Sequence, residues 1–304
     1  MTGRGTAHLL LRDGTLSLTC TADAAPLIAG WMPHGLRSSS APAAAEIAVS
    51  IGAVAAVREG PPTLRLLEVV AWVEGEAAHL HHPSGAGGSV DLRARRAEVA
   101  LVAGAVDAVE PILTFTAALL LGRLERALTH AAAVVSPSGD VWLLVGDSHA
   151  GKSSTVATLA LGGWGYLSDD QVVIGDGDGA IAVEGWCRPF NLDAGWGDGT
   201  VTGRRVASAT LPSGQVSGPQ RLSGILLPAV TADRPTALAP ATAAEGFEAL
   251  IRQSPWLLAD RVAAPSVVTL LTRVARLPVR RLSLGRDSYH RPDRLVAALA
   301  EIGR

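Results

Sequence analysis

The sequence predicts an α/β protein with a smaller β-rich N-terminal domain over residues 1–105 and a larger α/β domain over 106–304. Three observations predict it. The first third consists of short apolar runs punctuated by turn residues. The run 141–145 (VWLLV) is wholly apolar, as a strand covered on both faces requires. The residues that follow it are glycine-rich and open onto a helical pattern. A chain of 304 residues is long enough for two ordinary domains that need no covalent staples.

Taken in order, strands are expected at 8–12, 16–20, 46–49, 63–70, 88–92 and 98–102, with loops at 33–45 and 82–88, where Pro, Gly and Ser gather. Between 109 and 128, apolar Ile112, Phe115, Leu119, Leu120, Leu124 and Leu128 recur at helical spacing, which predicts a helix leading into the second domain. A strand at 131–135, a PSGD turn at 137–140 and the strand 141–145 come next, then a helix over 153–161 stopped by Gly162 and Gly163, and a strand over 165–170. The last third predicts helices at 244–253 and 266–277, a strand at 279–284 and a closing helix at 292–302.

Composition narrows the function classes. Apolar residues make up 48% of the chain and the formal net charge is −2, so there is no basic surplus of the kind nucleic acid demands. Only Cys20 and Cys187 occur, in neither a disulfide nor a zinc spacing. No run of about 18 uncharged apolar residues appears, and the N-terminus lacks a long apolar h-region, so a cytoplasmic protein with no membrane partner is expected. Among 26 basic side chains a single lysine, Lys152, stands against arginine everywhere else. A position that keeps an ammonium against such a bias needs a compact point charge that a planar guanidinium does not supply.

That lysine lies in Gly146-Asp147-Ser148-His149-Ala150-Gly151-Lys152-Ser153, which satisfies G-x-x-x-x-G-K-[ST] between a predicted strand and a predicted helix. Such a loop turns its N–H groups around the phosphates of a nucleoside triphosphate, and the helix directs its positive end at them. Lys152 would neutralise the β- and γ-phosphates, Ser153 would offer its hydroxyl to Mg2+, and Ser154 continues the first turn. The plain alternative is a tight strand-to-helix turn. On the next strand Asp169 and Asp170 are adjacent, a costly arrangement unless paired or metal-bound. One could face the metal while the other serves an acceptor hydroxyl as general base. A solvated turn is the competing reading.

The set His130, GDSHAGKSS and YLSDDQVVI resembles the catalytic domain of HPr kinase/phosphorylase and related P-loop kinases, a fold akin to phosphoenolpyruvate carboxykinase. Asp169 follows Lys152 by seventeen residues, as in that family, and His130 stands about twenty residues ahead of the lysine. The resemblance implies an ATP-dependent serine kinase in which Lys152 binds phosphate, Ser153 and Asp170 hold Mg2+, Asp169 is the base and His130 lies beside them. It covers about residues 128–175, and Leu277–Leu282 resembles the closing strand of such proteins. Some relatives accompany ribosomally made peptides such as lasso peptides and phosphorylate a serine of the precursor, which makes a peptide or protein acceptor the expected partner. The sequence departs from the family at His149, where glycine is usual, and has no Glu-Ile-Arg-Gly segment, Glu184-Gly185-Trp186 standing nearest to it. The N-terminal domain is also unlike that of true HPr kinase. A kinase for a small metabolite and a nucleotide-binding regulator without transfer are the other readings, and a homo-oligomer is left open.

The remaining signals are weaker. His79, His81 and His82 gather near a turn without completing a metal shell, and read as surface residues. Arg188, Arg204, Arg205 and Arg221 follow the acidic pair, where a kinase needs guanidinium groups, although solvated arginines are the default. Trp186, Trp196 and Trp256 suit a core or an interface, and the GWGDG stretch 195–199 suits a closing flap.

Overall fold

The computed structural model describes residues 7–302 apart from 10, 12–13, 32–36, 39–42, 53–57, 178, 187–189, 194–204, 209–213, 232, 289–290 and 301. The described residues form a mixed α/β protein with six α-helices, two nine-stranded mixed sheets and a two-stranded ribbon. The chain divides into two compact units, one of Met1–Leu128 with Pro255–Thr269, the other of Thr129–Ser254 with Leu270–Arg304.

The first unit contains β1 (Ala7–Leu9), β2 (Leu16–Cys20), α1 (Ala25–Trp31), β3 (Arg37–Ser38), β4 (Ala45–Ile51), β5 (Leu64–Leu66), β6 (Val69–Glu74), β7 (Ala77–His81), β8 (Gly87–Asp91), β9 (Arg96–Leu101) and α2 (Val106–Gly122). Its sheet runs β3-β1-β2-β4-β9-β8-β7-β6-β5, parallel from β2 through β4 to β9 and antiparallel elsewhere. Side chains alternate between faces along each strand. Register therefore aligns Val49, Val99, Leu80 and Ala71 in one buried row, with Gly88 between Val99 and Leu80. A Cβ at Gly88 would lie 2.8 Å from the Glu98 carbonyl, which explains the gap in the row. Helix α2 packs on this sheet and is apolar almost all round, as a helix buried on every side must be.

Several expectations for this unit are corrected. The strand expected at 63–70 is a hairpin of β5 and β6, turned at Leu67 and Glu68 with φ of 51° and 65°. Two successive left-handed residues make the two-residue turn whose twist matches the strands, but neither is the Gly or Asn that would announce it. The helix expected through 128 ends at Gly122. Glu125 takes φ 57° and the Arg126 N–H donates back to the Leu121 carbonyl at 2.9 Å, so the chain turns away and Leu124 and Leu128 leave the helix. Gly87, expected in a loop, begins β8, and Arg37–Ser38 form β3 within another stretch expected as loop. Compactness places α2 with the first sheet, so the division lies at 128/129 where 105/106 was expected. The returning segment is held inside the unit: Arg123 Nε donates to Asp260 Oδ2 at 2.5 Å and its Nη1 to Glu76 at 2.6 Å.

The second sheet contains β10 (Ala127–Thr129), β11 (Ala131–Val135), β12 (Val141–Val145), β13 (Gly165–Ser168), β14 (Val172–Gly177), β15 (Ala180–Gly185), β18 (Gln220–Val230), β19 (Ala237–Pro240) and β20 (Val279–Leu284). β16 (Phe190–Asp193) and β17 (Arg205–Ser208) pair as the ribbon, and the helices are α3 (Lys152–Leu161), α4 (Ala243–Arg252), α5 (Ala264–Val274) and α6 (Pro292–Leu299). The order is β10-β14-β15-β18-β12-β11-β13, with β20 beside β18 and β19 beside β20. β12, β18 and β20 are mutually parallel, and β11 runs against β12.

Both faces of this sheet are covered. Val134, Trp142, Leu144 and Leu226 share a core with Val156 and Leu159 of α3 and Leu295 and Leu299 of α6. On the other face Gly246 of α4 comes so close to Val279 and Ile225 that a Cβ there would meet Val279 at 2.9 Å. The uninterrupted apolar run of β12, buried at every residue, is what a strand between two covered faces needs. α4 opens with a capping box in which the Thr242 hydroxyl accepts from the Glu245 N–H while the Glu245 carboxylate accepts from the Thr242 N–H.

Candidate functional site

Register brings the singled-out residues to one end of the second sheet. Ala131 pairs with Val145, so His130, just before β11, meets Gly146, just after β12. Ala133 pairs with Ser168, so the acidic residues after β13 come to the same end. The parallel strands β18 and β20 also deliver their C-terminal ends there, the end at which α/β sheets gather ligands.

The glycine-rich loop occupies 146–151 and α3 begins at Lys152. Gly151 has φ 93°, a left-handed conformation that an L side chain adopts only at a cost, and a Cβ there would lie 2.8 Å from Leu284 Cδ1. A Cβ on Gly146 would sit 3.2 Å from that of Ala150. His149 is exposed and also left-handed, at φ 67°, so it occupies a position whose geometry a glycine takes without strain. Ala150 N–H donates to the Asp147 carbonyl at 3.2 Å and closes the turn. Ser153 and Ser154 are half-buried in the first turn of α3, whose leading N–H groups have no acceptor within the helix. Ser148 is exposed.

Lys152 is buried, at 6% exposure. Its Nζ donates to the carbonyls of Gly146 at 2.7 Å and Asp147 at 3.2 Å, so the ammonium is folded over the loop's own backbone. An ammonium needs such oxygens when it leaves water.

Beside the loop His130 Nδ1 lies 3.1 Å from Asp170 Oδ1, each side chain about 30% exposed. With the proton on Nδ1 the ring donates to the carboxylate, which fixes the tautomer. Asp169 is buried, and the turn that carries the pair is shaped by Ser168, whose Oγ donates to the Trp186 carbonyl at 3.1 Å and accepts from Gln171 N–H at 3.3 Å. Gly185 passes so close to the Leu167 carbonyl that no side chain fits.

One contributor carries no sequence signal. Gln253, the residue that ends α4, donates from Nε2 to Asp147 Oδ1 at 3.0 Å, and its carbonyl accepts the His130 N–H at 2.8 Å. Next to it Ser254 Oγ and Thr129 Oγ1 share a buried hydrogen bond of 2.9 Å. Arg252 Nη1 stands 3.8 Å from Asp147 Oδ2. The capping box marks where α4 begins, but nothing in the sequence joins residue 253 to residue 147.

The weaker signals fall elsewhere. His79 and His81 lie on β7, and His82 is buried at its end with Nδ1 2.9 Å from Ser84 Oγ, where a surface position was expected. Among the described residues no group of three or more His, Cys, Asp or Glu is arranged to hold a metal ion. Arg221 is exposed on β18, Trp186 and Trp256 are buried, and Arg205 lies in β17. Arg188, Arg204, Trp196, Cys187 and the stretch 195–199 lie outside the described residues. Among the described residues no helix is long and apolar enough to cross a membrane. Compared with known proteins, the chain matches no family model and no curated sequence.

Proposed function

We propose that the second unit is a P-loop kinase domain of the HPr kinase/phosphoenolpyruvate carboxykinase-like kind, and that it transfers the γ-phosphoryl group of ATP to a hydroxyl, foremost a serine of a peptide or protein. The observation that carries this reading is a glycine-rich loop that leaves a fully buried strand, enters α3 through left-handed Gly151 and has the His130–Asp170 pair beside it. The N–H groups of 146–153 cradle the triphosphate, and Lys152 releases the carbonyls of Gly146 and Asp147 to meet the β- and γ-phosphates. Ser153 and Asp170 supply a hydroxyl and a carboxylate, the hard oxygen donors that Mg2+ takes, and the ion when bound supplies charge neutralisation on the phosphates. Asp169 accepts the proton of the acceptor hydroxyl as its oxygen bonds to the γ-phosphorus and the bond to the β–γ bridging oxygen breaks, leaving ADP. His130 orients Asp170 through their hydrogen bond.

Transfer from γ-phosphate-labelled ATP, assayed with serine-containing peptides and with small hydroxylated metabolites, tests the reading. Asp169→Ala is expected to abolish labelling while ADP binding, measured by calorimetry, stays within a few-fold. Labelling of metabolites with none of peptides would move the acceptor to small molecules. Tight nucleotide binding with no transfer by the wild type would leave a regulator instead of a kinase.

A further inference from the structure

Asp147 is the second residue of the loop, 71% exposed at its side chain, and an anion there stands next to a pocket proposed for the most highly charged part of a nucleotide. Within the loop its main-chain carbonyl is held by the Ala150 N–H and Lys152 Nζ, both at 3.2 Å. Its side chain is held from 106 residues away, where the Gln253 amide donates to its Oδ1. The amide orientation is set by chemistry, because the flipped form would press the Gln253 carbonyl oxygen against a carboxylate. Gln253 is itself only 8% exposed, its N–H is spent on the Ala249 carbonyl and its own carbonyl on the His130 N–H. Its position is therefore fixed by the end of α4 and by His130, the residue between β10 and β11.

We propose that Gln253 is a positioning residue that holds the phosphate-binding loop in register with the His130–Asp170 pair, by its side chain at Asp147 and by its main chain at His130. The inference rests on the nucleotide reading given above. It assigns the end of α4 to the nucleotide site and gives Asp147 a role: an exposed carboxylate is kept because it is the handle by which the loop is held. Arg252, 3.8 Å from the other carboxylate oxygen, offsets the charge of that handle.

A polarity swap tests it. Gln253→Glu sets two carboxylates against each other where a hydrogen bond of 3.0 Å stood, and is expected to raise the Kd for Mg·ADP about ten-fold, the usual scale for losing a bond to a charged group. Asp147→Asn keeps an acceptor and costs about two- to three-fold. The double variant restores a donor and a carboxylate with their places exchanged, and is expected to return to within about three-fold of wild type. Thermal melts run alongside, and Gln253→Ala, which removes the bond without adding charge, replaces Gln253→Glu if that protein is unfolded and is expected to raise Kd about five-fold. A purely packing role for Gln253 gives no rescue by Asp147→Asn. Wild type that binds ADP while Gln253→Glu binds equally well, or a double variant no better than Gln253→Glu, overturns the clamp and leaves the nucleotide reading intact. Wild type that binds neither ADP nor ATP overturns both.

Discussion

Two glycines with nearly the same backbone angle allow the loop's geometry to be weighed in energy. Gly151 has φ 93° and Gly139, in the turn before β12, has φ 92°. Replacing either by alanine forces a side chain into the left-handed region, at about 1–2 kcal/mol. Around Gly139 a Cβ would meet nothing within 4 Å, so that cost is the whole effect. At Gly151 it would lie 2.8 Å from Leu284 Cδ1 and 3.3 Å from Val230 Cγ2. Overpacking of this kind adds about 1–3 kcal/mol, and the lower half of that range applies because both contacts are the ends of side chains that can rotate. Gly151→Ala should therefore destabilise the protein by about 2–4 kcal/mol and exceed Gly139→Ala by about 1–2 kcal/mol. Urea unfolding followed by circular dichroism gives both numbers, with a shared m-value as the check that only the native state changed. Equal midpoints for the two variants would refute the crowding at Gly151, and a Gly151→Ala protein as stable as wild type would refute the left-handed entry into α3.

Three further outcomes are expected. Lys152→Met keeps an unbranched side chain one atom shorter and removes its charge, so it should weaken Mg·ADP binding by about 10–100-fold in calorimetry, the range for hydrogen bonds to charged groups. Asp260→Ala should destabilise the protein by about 1.5–3 kcal/mol in denaturant titration, because it removes the nearer of two carboxylates from the Arg123 guanidinium, only 11% exposed, and leaves Glu76 at 2.6 Å as its partner. The Thr242 N–H, then the Arg281 guanidinium and then the Thr242 hydroxyl hold the Glu245 carboxyl down from 4.5 to about 2. A depressed folded-state value contributes stability above pH 4.5 that drains away as the pH falls through 2, so wild type should lose melting temperature between pH 5 and 2 more steeply than Glu245→Gln; parallel profiles would contradict this.

How much of this was legible in the sequence varies with the physical scale of the signal. The strands Leu16–Cys20, Ala131–Val135, Val141–Val145 and Val279–Leu284 coincide with their apolar runs, because each run is bounded by turn residues or a change of period. The ends of α3 follow from Gly151 before it and Gly162 after it. Where the backbone turns through the left-handed region without glycine, at Leu67, Glu68 and Glu125, the sequence is silent and the expected elements run on too far. The site divides in the same way. The loop and the acidic pair are contiguous motifs and can be read locally, and the nearness of His130 to Asp170 follows once the strands on either side are paired. Gln253 can be found only from the docked helix, since hydrogen bonding over 106 residues leaves no periodicity.

The lone lysine has one more consequence, for chemical labelling. Apart from the chain's α-amine, Lys152 is the single primary amine that an acylating reagent can find in this sequence, and in the folded protein two carbonyl oxygens and 6% exposure shelter it. Acylation at this residue thus requires the side chain to let go of its own loop, so the speed of modification is a direct clock for that release, with no second side-chain amine to blur the mass spectrum.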